Sequence, residues 1–198
     1  MTEKFAPKKI LDVGCGRGDL VVEFSKLGVE IYGIDILEKS ITRSFREEIK
    51  DKVCIADAER LPFKQGSFDL VIAHHVIEHL HNPELFIREA HRVLRKGGVV
   101  FCITTIPPFG MTKLYRILGL QREPTHVSLH SRFFWTKIFE ENGFKLKGNL
   151  DKLLLKDPPF HPLGRLLMKF GPIGRQLWLS IATVIRASFL FEKVKSNE

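Results

Sequence analysis

Ile10-Leu-Asp-Val-Gly-Cys-Gly-Arg-Gly-Asp-Leu20 decides the fold class. An apolar run closes on Asp12, glycines follow at every second position, and an amphipathic pattern begins directly after them. The run reads as a strand. Leu20, Val21, Phe24 and Leu27 read as one face of a helix ended by Gly28, and Gly14, Gly16 and Gly18 form the turn between the two. Glycines allow a sharp backbone turn and let a ligand approach with no Cβ in the way. In open α/β sheets the crevice beyond the strand ends is where ligands bind.

Working outward, apolar β-branched runs recur at Lys9–Val13, Glu30–Asp35, Val53–Ala56, Phe68–Ala73 and Val99–Thr104, with helical patterns between them. Ile41, Phe45 and Ile49 mark the second helix, whereas the linker at 58–67 holds Pro62 and Gly66 and has room for little more than a turn. Asn82 as N-cap and Pro83 at the first helical position predict a helix that buries Leu85, Phe86, Ala90, Val93 and Leu94 and stops at Gly97-Gly98. Strand and helix alternate as βαβ units require. The pattern then loosens over 106–129, broken by Pro107-Pro108, and this stretch reads as a lid. A helix over 131–141 with Phe134, Ile138 and Phe139 on one face follows, then strands near 144–147 and 188–194.

With 198 residues and three widely spaced cysteines, Cys15, Cys54 and Cys102, the chain suits one domain over 1–198 and neither a disulfide framework nor a zinc site. A cofactor half, 9–104, precedes an acceptor and lid half, 105–198. The sequence offers no export signal and no apolar run long enough to span a bilayer, so a cytoplasmic protein is expected. The net charge of +8 is unevenly placed: 1–104 holds 16 basic and 16 acidic residues, so the whole excess lies in 105–198. Such a field suits an anionic acceptor, nucleic acid or an acidic membrane surface.

The dinucleotide fingerprint needs a third glycine five residues after the first, where this chain has Asp19, so the spacing disfavours NAD. D-x-G-x-G-x-G instead resembles the first motif of class I S-adenosylmethionine-dependent methyltransferases. The likeness continues through Asp35 at the end of the second strand, Asp57-Ala58 after the third, the stretch from Ser67 to Leu80, Leu94 to Gly98, and Thr125 to Phe144, which is similar to the type 11 subfamily. The resemblance implies an α/β, Rossmann-like, seven-stranded methyltransferase sheet with helices on both faces and an antiparallel last strand. It implies S-adenosyl-L-methionine as methyl donor and S-adenosyl-L-homocysteine as product. Asp12 would receive the ammonium of the cofactor and the backbone of Gly14, Cys15, Gly16 and Gly18 would approach its methionine part. Asp35 would hold the ribose, Ile36 would pack on adenine, Asp57 and Ala58 would read the adenine edge, and Ala73 and His74 would lie near the methyl group. Asp69, at the other end of its strand, reads as structural.

His74, His75, Glu78, His79 and His81 form the densest polar cluster. His75-Val-Ile-Glu78-His79 carries the letters of a zinc-peptidase motif, but a peptidase needs them inside a long helix rather than just after a strand. Some related methyltransferases hold a divalent metal here with Glu-x-x-Glu-His; His75 stands where their first glutamate would be, and no metal is expected. Glu78 and His79 read as packing and hydrogen-bonding residues. His126, just past the lid, is the candidate general base, with His130 second.

The expected function is methyl transfer to an acceptor that is small or amphiphilic, with an anionic group, rather than nucleic acid, since no RNA-binding signature accompanies the charge. The alternatives are a non-catalytic S-adenosylmethionine-binding protein and an RNA or protein methyltransferase. The first strand begins near Lys9, so a cover for the acceptor is expected from 106–129, from 151–187 or from a partner subunit. The greasy and basic stretch 159–186 suits a lid, a peripheral membrane contact or packing on the sheet.

Overall fold

A computed structural model of the chain describes residues 7–36, 47–106, 125–149 and 186–194. Along the chain these form β1 (Lys9–Val13), α1 (Asp19–Lys26), β2 (Glu30–Asp35), β3 (Val53–Ile55), β4 (Phe68–His74), α2 (Pro83–Val93), β5 (Leu94–Thr105), α3 (Arg132–Glu141), β6 (Phe144–Asn149) and β7 (Arg186–Lys193). Single 3₁₀ turns occupy Glu47–Ile49 and Ile77–His79. The strands make one seven-stranded sheet in the order β3-β2-β1-β4-β5-β7-β6. β1 to β5 run parallel, and β7 is antiparallel to both β5 and β6. The order reverses between β1 and β4, which opens a crevice at their carboxyl ends.

Period-two alternation divides each central strand between two cores. Ile10, Ile31 and Ile72 face Val21 and Val22 of α1. Leu11, Ile34, Val71, Ala73 and Val100 face the opposite way, against Phe86, Ile87, Ala90 and Val93 of α2 and Trp135 and Phe139 of α3. Helices therefore cover both faces, as two-sided burial of a parallel sheet demands.

Three details differ from the sequence reading. α2 leaves Leu85 40% exposed and buries Ile87 in its place. It also ends at Val93 rather than at Gly97, because Leu94 turns extended and pairs with Phe68 of β4. The Lys193 ammonium donates to the carbonyls of His91 and Leu94, at 2.7 and 2.9 Å, and so satisfies acceptors left over at the helix end. In α3, Ser131 caps the Phe134 amide, and Trp135 is fully buried along with the expected Phe139, while Phe133 points outward. Of the second helical pattern only its end is described, as a 3₁₀ turn; 107–124 of the lid and 150–185 of the tail lie outside the described residues.

Asp69 fastens the amino end of the sheet. It is 6% exposed, and one carboxylate oxygen accepts from the amides of Lys8 and Lys9 while the other meets Arg95 at 2.7 Å. Asp69→Ala would orphan these donors and is expected to lower unfolding stability by about 2–3 kcal/mol in denaturant titrations. S-Adenosylhomocysteine affinity should stay at the parent value, because Asp69 sits at the end of β4 away from the crevice.

Candidate functional site

The glycine turn is shaped by its backbone. Gly14, Gly16 and Gly18 all have positive φ, 69°, 53° and 75°. At Gly14 a Cβ would strike the Val76 side chain, so only glycine lets β1 pass the segment after β4. At Gly16 a Cβ would meet nothing within 4 Å, so this stretch of backbone faces open space. The Gly16 amide donates to Asp35 Oδ2 at 2.9 Å, which ties the turn after β1 to the acid ending β2. Gly18 opens α1 as its N-cap.

A cavity of about 700 Å³ lies above these strand ends, within the range of small-molecule sites. Gly14, Asp35, Ile36, Asp57 and Ala58, all singled out from sequence, line one side of it, with Glu59 beside them. Ile36 presents a 64% exposed apolar side chain, suited to stacking a flat ring, and Asp57 closes a tight turn by accepting from the Glu59 amide at 2.8 Å. His75, Val76, His79, Leu80, His81, Thr125 and Val127 line the other side. Sequence reasoning set His81 in the polar cluster after the fourth strand but singled out neither Val76 nor Val127. The types of these two are ordinary; Val76 comes in on the segment after β4, over Gly14, and Val127 on the stretch that Ser128 ties to Glu78 and Leu80.

The other expected site residues stand behind or beside this cavity. Asp12 is 3% exposed, and burial, with Asp35 nearby, pushes its carboxyl up to about 7. Cys15 contributes its backbone to the turn but sinks its side chain into the core beneath Gly33, where burial pushes the thiol up to about 12. Ala73 is fully buried at the end of β4, and the His74 ring lies 4.8 Å from that of His75. His126 is outside the lining; its ring stands edge-on to His79 at 4.7 Å.

Glu78 organises the opposite wall. Its side chain is wholly buried, yet Oε1 meets His75 Nδ1 at 2.7 Å and accepts from the Thr105 amide at 3.1 Å, while Oε2 accepts from the Thr104 hydroxyl at 2.8 Å. Its main-chain carbonyl accepts from the Ser128 amide, and Ser128 Oγ reaches the Leu80 carbonyl, so the 125–130 stretch is stitched to the turn after β4. Burial pushes the Glu78 carboxyl up, but the hydrogen bonds from His75, a backbone amide and Thr104 outweigh it and hold the group at about 2. Glu78, His79 and His126 bring one potential metal-binding atom each within 4.8 Å of one another. The three hydrogen bonds on the carboxylate leave it one lone pair.

The methyltransferase domain family matches residues 1–147. The chain belongs to that family. Among curated relatives it is 38% identical over 121 residues to the mitochondrial ubiquinone biosynthesis O-methyltransferase of Rattus norvegicus, 57% of this chain and 34% of that protein. It is 35% identical over 105 residues to norajmaline N-methyltransferase of Rauvolfia serpentina, 50% of this chain and 36% of that protein. The chain thus spans about a third of the length of these two relatives. Its fold is similar to that of an S-adenosylmethionine-dependent methyltransferase from Mesorhizobium loti, with TM-score 0.69 at 16% identity, covering 98% of this chain and 94% of that one. It is also similar to phosphoethanolamine N-methyltransferase 2 of Haemonchus contortus, solved with phosphomonomethylethanolamine and S-adenosylhomocysteine, with TM-score 0.64 at 20% identity, covering 98% of this chain and 50% of that one.

In this methyltransferase-domain chain the Asp12 carboxyl titrates near neutrality when folded and near 3.8 when unfolded. The folded state therefore holds the extra proton between about pH 4 and 7, and stability falls as pH rises through that window. The full penalty, about 4 kcal/mol for a shift of about three units, acts above pH 7. Asp12→Asn should raise the melting temperature of the free protein at pH 8 and leave it unchanged below pH 4, as thermal unfolding at the two pH values would show.

Proposed function

We propose that the chain is an S-adenosyl-L-methionine-dependent methyltransferase acting on a small-molecule acceptor. The observation that carries this reading is the joining of the glycine turn to Asp35 by the Gly16 amide, on the wall of a cavity also lined by Ile36, Asp57 and Ala58. These residues fit the cofactor. The turn leaves open space for an extended chain at Gly16, Asp35 and Asp57 offer acceptors for hydroxyl and amine hydrogens, Ile36 offers an apolar face, and the buried Asp12 carboxyl offers a counter-charge for an ammonium. When bound, the cofactor supplies an electrophilic methyl group. The protein's part is to hold acceptor and donor near attack distance and to exclude water. Two relatives, a ubiquinone biosynthesis O-methyltransferase and a norajmaline N-methyltransferase, support a small acceptor over nucleic acid.

The acceptor side has its own character. Among the described lining residues it presents three histidines with Leu80 and Val127 and neither lysine nor arginine. An apolar or amphiphilic acceptor suits this wall. Any anionic group on the acceptor, and any membrane contact, would draw on the basic excess of 105–198. His126 supports the site through the ring of His79 and the short stretch that Glu78 anchors. The unpaired thiols of Cys15, Cys54 and Cys102 suit a reducing compartment such as the cytoplasm. No described helix is long and apolar enough to cross a membrane.

Calorimetry tests the donor half. S-Adenosylmethionine and S-adenosylhomocysteine should both bind, NAD should not compete, and Asp35→Ala should weaken both roughly 10- to 150-fold, the loss of a charge-assisted bond of about 1.5–3 kcal/mol. Equal affinity in the variant would remove Asp35 from the site. A panel of phenols and amines, followed by release of S-adenosylhomocysteine, tests turnover; binding without turnover on any acceptor would favour a non-catalytic binding protein.

A further inference from the structure

The feature that the cofactor site leaves unexplained is His75. It follows the last residue of β4, and its amide donates to the Ile103 carbonyl at 2.8 Å, extending the β4–β5 ladder by one bond. Its φ is +55°, the one positive value among the described non-glycine residues. Such a conformation is strained for a side-chain-bearing residue and is kept where surrounding contacts over-determine it, as at functional sites. Here the contact is the 2.7 Å bond from Nδ1 to Glu78 Oε1.

That bond settles the chemistry of the ring. Glu78 is held ionised by Thr104, Thr105 and His75, so its oxygen can only accept and Nδ1 must carry the hydrogen. The lone pair of a neutral ring then sits on Nε2, which is buried and has no hydrogen-bond partner. A buried polar atom left unpaired is costly, and a ligand hydrogen would relieve that cost. The same ring lines the cavity beside Gly14 and Val76, between the glycine turn and the acceptor wall. His79 is less suited to the task. Its Nδ1 bonds a neutral carbonyl, that of Thr125, and its side chain is exposed, so it lacks the direct hydrogen bond to the buried Glu78 carboxylate that His75 makes.

We propose that His75, held by Glu78, is the residue that takes the proton from the nucleophilic O–H or N–H of the acceptor. The assignment rests on the methyltransferase reading above. As the acceptor's lone pair forms its bond to the methyl carbon, the carbon–sulfur bond breaks and its electron pair stays on sulfur, discharging the sulfonium. The acceptor proton passes to Nε2, and the resulting imidazolium is steadied by the Glu78 carboxylate until the proton leaves to solvent. This is the carboxylate–histidine division of labour, in which the acid fixes tautomer and orientation without itself becoming protonated. His75 is the catalytic residue and Glu78 the positioning residue.

The test uses the full chain labelled with ¹⁵N and observed through its histidine side chains at pH 8.5, alone and saturated with S-adenosylhomocysteine. His75 should show hydrogen on Nδ1 and a bare Nε2, and Glu78→Leu, which removes the acceptor and keeps the bulk, should release that fixed tautomer. Hydrogen on Nε2 of the parent ring would overturn the assignment. His75→Asn is the companion variant, since asparagine tolerates positive φ and offers an N–H to Glu78 but lacks Nε2. With catechol as probe acceptor it should turn over about 10²–10⁴-fold more slowly while binding S-adenosylhomocysteine as the parent does. Parent-level turnover in His75→Asn would also overturn the proposal. A parent chain that methylates no catechol leaves the decision to the tautomer. One that binds no S-adenosylhomocysteine fails the methyltransferase reading, and the tautomer of the free protein still decides the role of His75.

Discussion

The hydrogen bond from the Gly16 amide to Asp35 Oδ2 joins the ends of β1 and β2, and the architecture of this wall of the cavity depends on it. It can form only because the backbone after β1 takes three left-handed residues in alternation, a path with little strain for glycine alone. Val76 closes over Gly14 from β4, so the same turn is gripped from both neighbouring strands. A ligand entering the crevice meets a backbone already held in place, and the order it would otherwise impose is built in during folding.

The two halves of the cavity are held by different physics. On the side of the glycine turn, backbone geometry and carboxylates at strand ends dominate, with Asp12 buried near Asp35 at the expense of its own ionisation. On the side of His75, one buried glutamate binds β5 through Thr104 and Thr105, His75 through its ring, and the 125–130 stretch through its carbonyl. Removing a carboxylate so placed leaves several donors unpaired at once, so the loss would exceed that of any single bond. This second side is thus the less tolerant of substitution at its centre and the freer at its rim, where Leu80, His81 and Val127 set the character of the wall.

Much of this was legible in the sequence because the relevant signals are local. β1, β2 and α1 announce themselves by period, and the glycine spacing separates this turn from the dinucleotide type. The end of α2 was not legible: Gly97-Gly98 looks like a helix stop, but the stop is imposed at Val93 by the pairing of Leu94 with β4 and by Lys193, about a hundred residues away in sequence. Leu85 and Ile87 exchange roles because the buried face runs through Phe86, Ile87, Ala90 and Val93 at helical spacing, and Leu85 falls beside it. His75, Glu78 and His79 were visible as a cluster, but which of them share a hydrogen bond depends on a backbone reversal at His75 that letters do not encode.

Amide hydrogen exchange on the full chain, with and without S-adenosylhomocysteine, probes most directly the claim that one crevice at the ends of β1, β2 and β3 receives the cofactor. Protection should rise together at 13–18, 34–36 and 56–59, the three segments that the Gly16 to Asp35 bond and the Asp57 turn bring to one wall. Saturable binding that protects other segments and leaves these three unchanged would contradict it.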